Sequence, residues 1–135
     1  MDEQHPTAAS LLGETSASVI SPTAGAQASI ADADLYARFF RALGDPTRVR
    51  LLRLLLEVPA GERSVGELVV AIGAPQSRIS THLGCLRWCG LVQTRRAGKL
   101  VYYRIADPRV RELLALASAV LHDHAAGIAS CGVIR

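Results

Sequence analysis

Cys85 and Cys89 stand four residues apart in the stretch Pro75–Gly90, PQSRISTHLGCLRWCG, and a third cysteine follows at position 131. Read as a helix, a four-residue spacing puts both thiols on one face with Cβ atoms roughly 5–6 Å apart. A disulfide wants Cβ atoms about 3.8 Å apart, so the pair is poorly placed to bridge itself. It is well placed to hold one ion, since a zinc–sulfur bond is about 2.3 Å and bonds to larger ions are longer. Thiolates are soft ligands and select Cd(II), Pb(II) or Hg(II) over Mg, Ca or Mn. The bland alternative is that Cys85 and Cys89 are small buried hydrophobes.

The same stretch carries a second kind of chemistry at its other end. Gln76, Ser77, Arg78, Ser80, Thr81 and His82 are short or forked polar side chains at the start of the expected helix. Such groups meet base edges and phosphates in a major groove, with Arg78 the candidate reader of guanine. His82 fits either a phosphate contact or a role in orienting the helix. Leu83 and Leu86 belong to the core, and Trp88 is expected in the core or as a cover over the thiols.

The elements that must position these residues can be read from the rest of the chain. Gly73 closes the turn before the helix, Pro75 suits its first position and Gly90 its stop. A short helix at Val65–Ile72 precedes it, with Ser64 and Glu67 spaced as a capping box. Short helix, glycine turn and second helix make a helix-turn-helix. Leu91–Arg96 and Leu100–Ile105 flank Ala97-Gly98-Lys99 as a hairpin with Arg95, Arg96 and Lys99 at its tip, a wing reaching backbone or minor groove. Asp45 and Pro46 open a helix that runs to about Val58 and is apolar almost all round. Ala33–Leu43, capped by Asp32 or Asp34, and a helix from Asp107-Pro108 to about His124 present broad apolar stripes that suit a two-fold dimer interface. The expected organisation is a mobile arm over 1–30, a winged helix-turn-helix domain over 31–126 and a tail over 127–135 carrying Cys131.

The net charge is only +3, but it is unevenly spread. Up to Asp34 there are five acidic residues and no Lys or Arg; from Gln76 to Arg104 there are six basic residues and no acidic one. That block points to a polyanion, double-stranded DNA, although a solvated basic face has the same composition. No run reaches about 18 uninterrupted apolar residues and no secretory leader is evident, so a cytoplasmic protein without a membrane partner is expected. Three cysteines in a reducing compartment fit free thiols or metal ligands better than a disulfide frame. No paired carboxylates, Ser/His/Asp set or phosphate loop suggests an enzyme.

The segment Phe39–Arg104 resembles the ArsR/SmtB family of winged-helix metal-sensing repressors. The resemblance is carried by RALGDPTRVRLLRLL (41–55), GAPQSRISTHLGCLRWCGLV (73–92) and GKLVYYRI (98–105). It implies a mainly α fold with a β-hairpin wing, dimerised through the N- and C-terminal helices. The placement of Cys85 and Cys89 before Gly90-Leu91-Val92 looks like the recognition-helix site of the CmtR type of cadmium and lead sensors. That type adds a tail cysteine from the other protomer, which would be Cys131 here. Three sulfurs suit three-coordinate Pb(II) or Hg(II), or Cd(II) completed by water or His124. The resemblance implies an apo dimer on its operator, released by the ion.

Two departures narrow the reading. Arsenic sensors of the family often carry Cys-x-Cys in the third helix, where this chain has Ser64-Val65-Gly66-Glu67. The family's zinc site needs two histidines where Arg109 and Val120 stand, although Asp107 survives. His122, Asp123 and His124 are either solvated or accessory ligands. A redox-sensing repressor of the same fold, or an arsenic or antimony sensor, remains the alternative.

Overall fold

The computed structural model describes residues 26–58 and 61–134, which form five helices and three strands. The chain divides into two units, one ending at Arg41 and one beginning at Ala42. The first contributes most of α1 (Ala26–Leu43), a helix that exposes Leu35, Tyr36 and Phe40. The second contains α2 (Pro46–Glu57), β1 (Arg63–Ser64), α3 (Val65–Ile72), α4 (Gln76–Trp88), β2 (Val92–Ala97), β3 (Leu100–Ile105) and α5 (Arg109–Ser130).

The core of the second unit is aliphatic. Leu51, Leu52 and Leu55 of α2, Leu68 of α3, and Ile79, Leu83 and Leu86 of α4 are buried together with Leu91, Val92 and Val110. Burying one such side chain contributes about 1.5–3 kcal/mol, so the three residues of α4 alone fix that helix firmly. The α2 helix is not apolar all round as expected: Arg50, Arg53 and Glu57 are exposed and only its Leu51/Leu52/Leu55 face is sealed.

Local signals are realised as read in most places. The Asp45 side chain accepts from the N–H groups of Thr47 at 2.8 Å and Arg48 at 3.2 Å, capping α2. The Ser64/Glu67 capping box is complete. Gly73 ends α3 in the left-handed region at φ 77°, and its N–H donates to the Val69 carbonyl. The wing is a tight hairpin with Ala97 opposite Leu100 and Gly98 at φ 63°.

Other expectations need correction. The first helix starts at Ala26, so Asp32 and Asp34 lie inside it and cap nothing; the expected arm over 1–30 otherwise lies outside the described residues. Pro75 sits at the cap position, with the helix proper starting at Gln76. A short strand, Arg63–Ser64, was missed because two residues carry no periodicity; it pairs with Tyr103 and Tyr102, making the order β1-β3-β2. The last helix continues to Ser130, so Gly127 is helical and Cys131 caps the helix instead of riding on a free tail. By length and composition alone that helix could cross a membrane, although no run in it reaches about 18 uninterrupted apolar residues. Leu116, Val120, Leu121 and Ile128 are its exposed large apolar residues.

Candidate nucleic-acid interface and thiol pair

Helix α4 is held by its buried side and offers the opposite side to solvent. Ile79, Leu83 and Leu86 follow one another at spacings of four and three and are fully buried. Gln76, Ser77, Arg78, Ser80 and Thr81 are all exposed. The Thr81 hydroxyl donates back to the Ser77 carbonyl at 2.9 Å, which occupies its proton while leaving its lone pairs outward. The helix ends in a Schellman arrangement: Leu91 N–H donates to the Leu86 carbonyl at 2.9 Å and Gly90 N–H to the Arg87 carbonyl at 3.0 Å. Gly90 adopts φ 79°, a value glycine accepts without a Cβ penalty.

His82 is tied inward. Its Nδ1 lies 3.2 Å from Arg48 Nη1, and its Nε2 lies 3.8 Å from Asp45 Oδ1. Because a guanidinium only donates, Nδ1 is the acceptor and the ring proton sits on Nε2, facing the carboxylate. Burial works against ionisation of Asp45, but the N–H groups of Arg48 and Thr47 and the nearby Arg48 guanidinium together hold its carboxyl below the ordinary value. Of the two roles open to His82, this geometry favours orienting α4 on α2.

The wing divides its cations. Arg95 is not at the tip: its Nη2 donates to Glu62 Oε1 at 2.8 Å and its Nε to Oε2 at 3.0 Å. The same guanidinium lies 4.8 Å from the centre of the Tyr102 ring. The hydrogen bond from Arg95 holds the Glu62 carboxyl below its usual range. Arg96 and Lys99 are exposed and stand nearer the turn, with Arg78 exposed on α4.

The thiols lie at the far end of α4. Cys85 is half-buried and Cys89, at the helix cap, is exposed. The Cys89 thiol is nonetheless pushed up, first by partial desolvation, then by the charge of Cys85 and a hydrogen bond between the two side chains; the charge of Arg48 pulls the other way. Trp88 neither packs in the core nor covers the thiols: it is 93% exposed.

Cys131 is elsewhere. It lines an open groove of about 450 Å³ with Asp123, His124, Gly127, Ile128 and Ile134. Among the described residues no group of three or more His, Cys, Asp or Glu comes together to hold an ion. One chain thus offers two adjacent sulfurs, a donor set that fits a soft ion but leaves coordination incomplete. The sequence reading missed Arg48 and Glu62 as residues of the site. Arg48 lay inside the DPTR stretch, but no spacing rule connects it to His82 or Cys89.

Comparison with known proteins places this geometry. The model of "Bacterial regulatory protein, arsR family" matches residues 45–94. The chain is 48% identical over 98 residues to a probable mercury resistance operon repressor of Streptomyces lividans, covering 73% of this chain and 76% of that protein. It is 44% identical over 78 residues to the HTH-type transcriptional regulator CmtR of Mycobacterium tuberculosis, covering 58% of this chain and 64% of that one. Among solved structures, the homodimeric winged helix-turn-helix DNA-binding domain Mb0332 of Mycobacterium bovis superposes with a TM-score of 0.57 at 31% identity, over 92% of this chain and 93% of that one. These relatives are regulators, not enzymes.

Proposed function

The chain belongs to the ArsR family of bacterial regulatory proteins, and from that premise we propose that it is a soft-metal-responsive repressor acting as a homodimer on operator DNA. The observation that carries the reading is the sharing of one helix: Gln76, Ser77, Arg78, Ser80 and Thr81 face solvent at its start, and Cys85 and Cys89 stand one turn apart at its end. The Streptomyces relative's name, a mercury operon repressor, supports a thiophilic inducer, as does the resemblance to the CmtR type. Cd(II), Pb(II) and Hg(II) are the candidates, and DNA as the partner places the protein in the cytoplasm.

In the apo dimer, α4 enters the major groove, with Arg78 on base edges and Ser77, Ser80 and Thr81 on bases or phosphates. Arg96 and Lys99 of the wing supply sequence-independent phosphate contacts. Cys85 and Cys89 would hold the ion through deprotonated sulfur, with Cys131 of the partner subunit or His124 as the further donor. Deprotonation releases protons to solvent, so uptake works against the raised Cys89 thiol. The exposed apolar faces of α1 and α5 supply the dimer contact. The same contact accounts for the apolar length of α5 without a membrane, since its first turn carries Arg109, Arg111 and Glu112.

The test is operator affinity at fixed salt with and without each ion, using the DNA upstream of the chain's own gene. A coupling of about 1–3 kcal/mol weakens binding 5- to 150-fold. Cys85→Ser or Cys89→Ser abolishes the response while apo binding persists. Unchanged affinity with all three ions at saturation rejects the reading.

A further inference from the structure

We propose that Glu62 is a positioning residue for DNA binding: through Arg95 it straps the wing to the segment that starts the helix-turn-helix, so that wing and α4 are set for one duplex before they meet it. The inference rests on the DNA-binding half of the reading above. Ser64 of β1, Tyr102 of β3 and Arg95 of β2 stand directly opposite one another in the sheet, so they form one row and share a face. Arg95 reaches along that row. Its guanidinium lies over the Tyr102 ring, 4.8 Å from the centre, and closes on the Glu62 carboxylate with contacts of 2.8, 3.0 and 3.2 Å. One side chain of β2 thus crosses the central strand and is anchored beside β1.

The backbone alone holds this corner lightly. A two-stranded hairpin is marginal by itself, and β1 adds only the pairs Arg63 with Tyr103 and Ser64 with Tyr102. Ser64 is also the cap of α3, its hydroxyl accepting from the Glu67 N–H at 3.1 Å. A grip on Glu62 is therefore a grip on the entry to α3, the helix that packs on α4. Exposed ion pairs usually contribute little, but a bidentate guanidinium on an aromatic platform fixes direction as well as distance. Without it, Arg96 and Lys99 must be brought into line during binding, and that ordering cost is subtracted from the affinity. The phosphates finally contacted are the same, so the salt slope, which counts them, does not change.

The experiment uses the full chain, free of metal, and the DNA upstream of its own gene. Glu62→Asp keeps the charge and withdraws the carboxylate by one methylene; Arg95→Lys keeps the charge and removes the fork. Each weakens binding about 3- to 10-fold at fixed salt and leaves the slope of log K against log salt unchanged. The double variant E62D/R95K loses no more than either single one, because both cut the same link. Amide exchange over β2 and β3 quickens in the free variants, stays slow at Ile79, Leu83 and Leu86, and returns to the wild-type rate on DNA, a pattern that a general loss of structure would not give. If E62D loses helix content, R95K alone carries the test. Wild-type affinity in the variants, or a loss that comes with a changed slope, overturns the strap and leaves the DNA-binding reading standing. Wild-type protein that does not bind the DNA overturns that reading and the strap with it.

Discussion

The guanidinium of Arg95 grips both carboxylate oxygens of Glu62, with Nη2–Oε1 at 2.8 Å and Nε–Oε2 at 3.0 Å. A cation that composition alone would assign to DNA is thus engaged in joining the wing to the residue before β1. Arg96 and Lys99 are the exposed wing cations proposed for the phosphate contacts.

The two kinds of wing cation separate by salt dependence. Lys99→Ala weakens operator binding about equally on all sequences and reduces the slope of log K against log salt by about 0.9. Arg95→Ala leaves that slope unchanged. Binding isotherms at four or five salt concentrations decide it, and equal slopes for both variants would show Arg95 on phosphate.

The Cys89 thiol titrates above its ordinary value, chiefly through desolvation and then the charge of Cys85. Cys89 is therefore protonated at neutral pH in the apo protein, and its alkylation rate climbs through the alkaline range. Cys85→Ser removes a like charge and a hydrogen bond, so the alkylation midpoint of Cys89 moves down. Apparent ion affinity rises with pH in the wild type, because the proton competes for the same sulfur. A pH-independent affinity would place the ion on other ligands.

Gly90 sits at φ 79° with open space where a Cβ would stand. Gly90→Ala therefore costs only the left-handed backbone penalty, about 1–2 kcal/mol. At about 4–8 °C per kcal/mol for a domain of this size, that lowers the melting temperature by about 4–16 °C. Calorimetry checks it, and a drop far beyond that range would mean the glycine also serves packing.

Leu116, Val120 and Leu121 are exposed large apolar residues of α5. Val120→Asp places an uncompensated carboxylate in the proposed two-fold interface and yields a monomer with weakened operator binding. Light scattering on the eluting protein reads the mass directly. A V120D protein that remains a dimer locates the interface on other residues.

The local decisions were legible in the sequence because their causes reach only a few residues. Asp45 caps its own next turn, Ser64 and Glu67 box the start of α3, and Gly73, Gly90 and Gly98 stand where the backbone turns left-handed. The aliphatic spacing of Ile79, Leu83 and Leu86 named the buried side of α4, and by subtraction the side offered to solvent. Helix ends were less legible: α5 runs on to Ser130 because Ala and Gly at 125–127 carry no stop that periodicity detects.

What only the tertiary structure decided is which charge meets which. Arg48 and His82 are 34 residues apart, and Arg95 and Glu62 are 33 apart. No periodicity spans such distances, since each pair exists only after α2 packs on α4 and the wing folds back to β1. Composition counted Arg95 among the cations free for DNA and passed over Arg48 against His82. The sequence determined a helix with exposed polar and basic side chains at one end and two sulfurs at the other; folding determined which cation stands beside that helix and which is committed to a carboxylate, because Coulombic partners are chosen by distance in space.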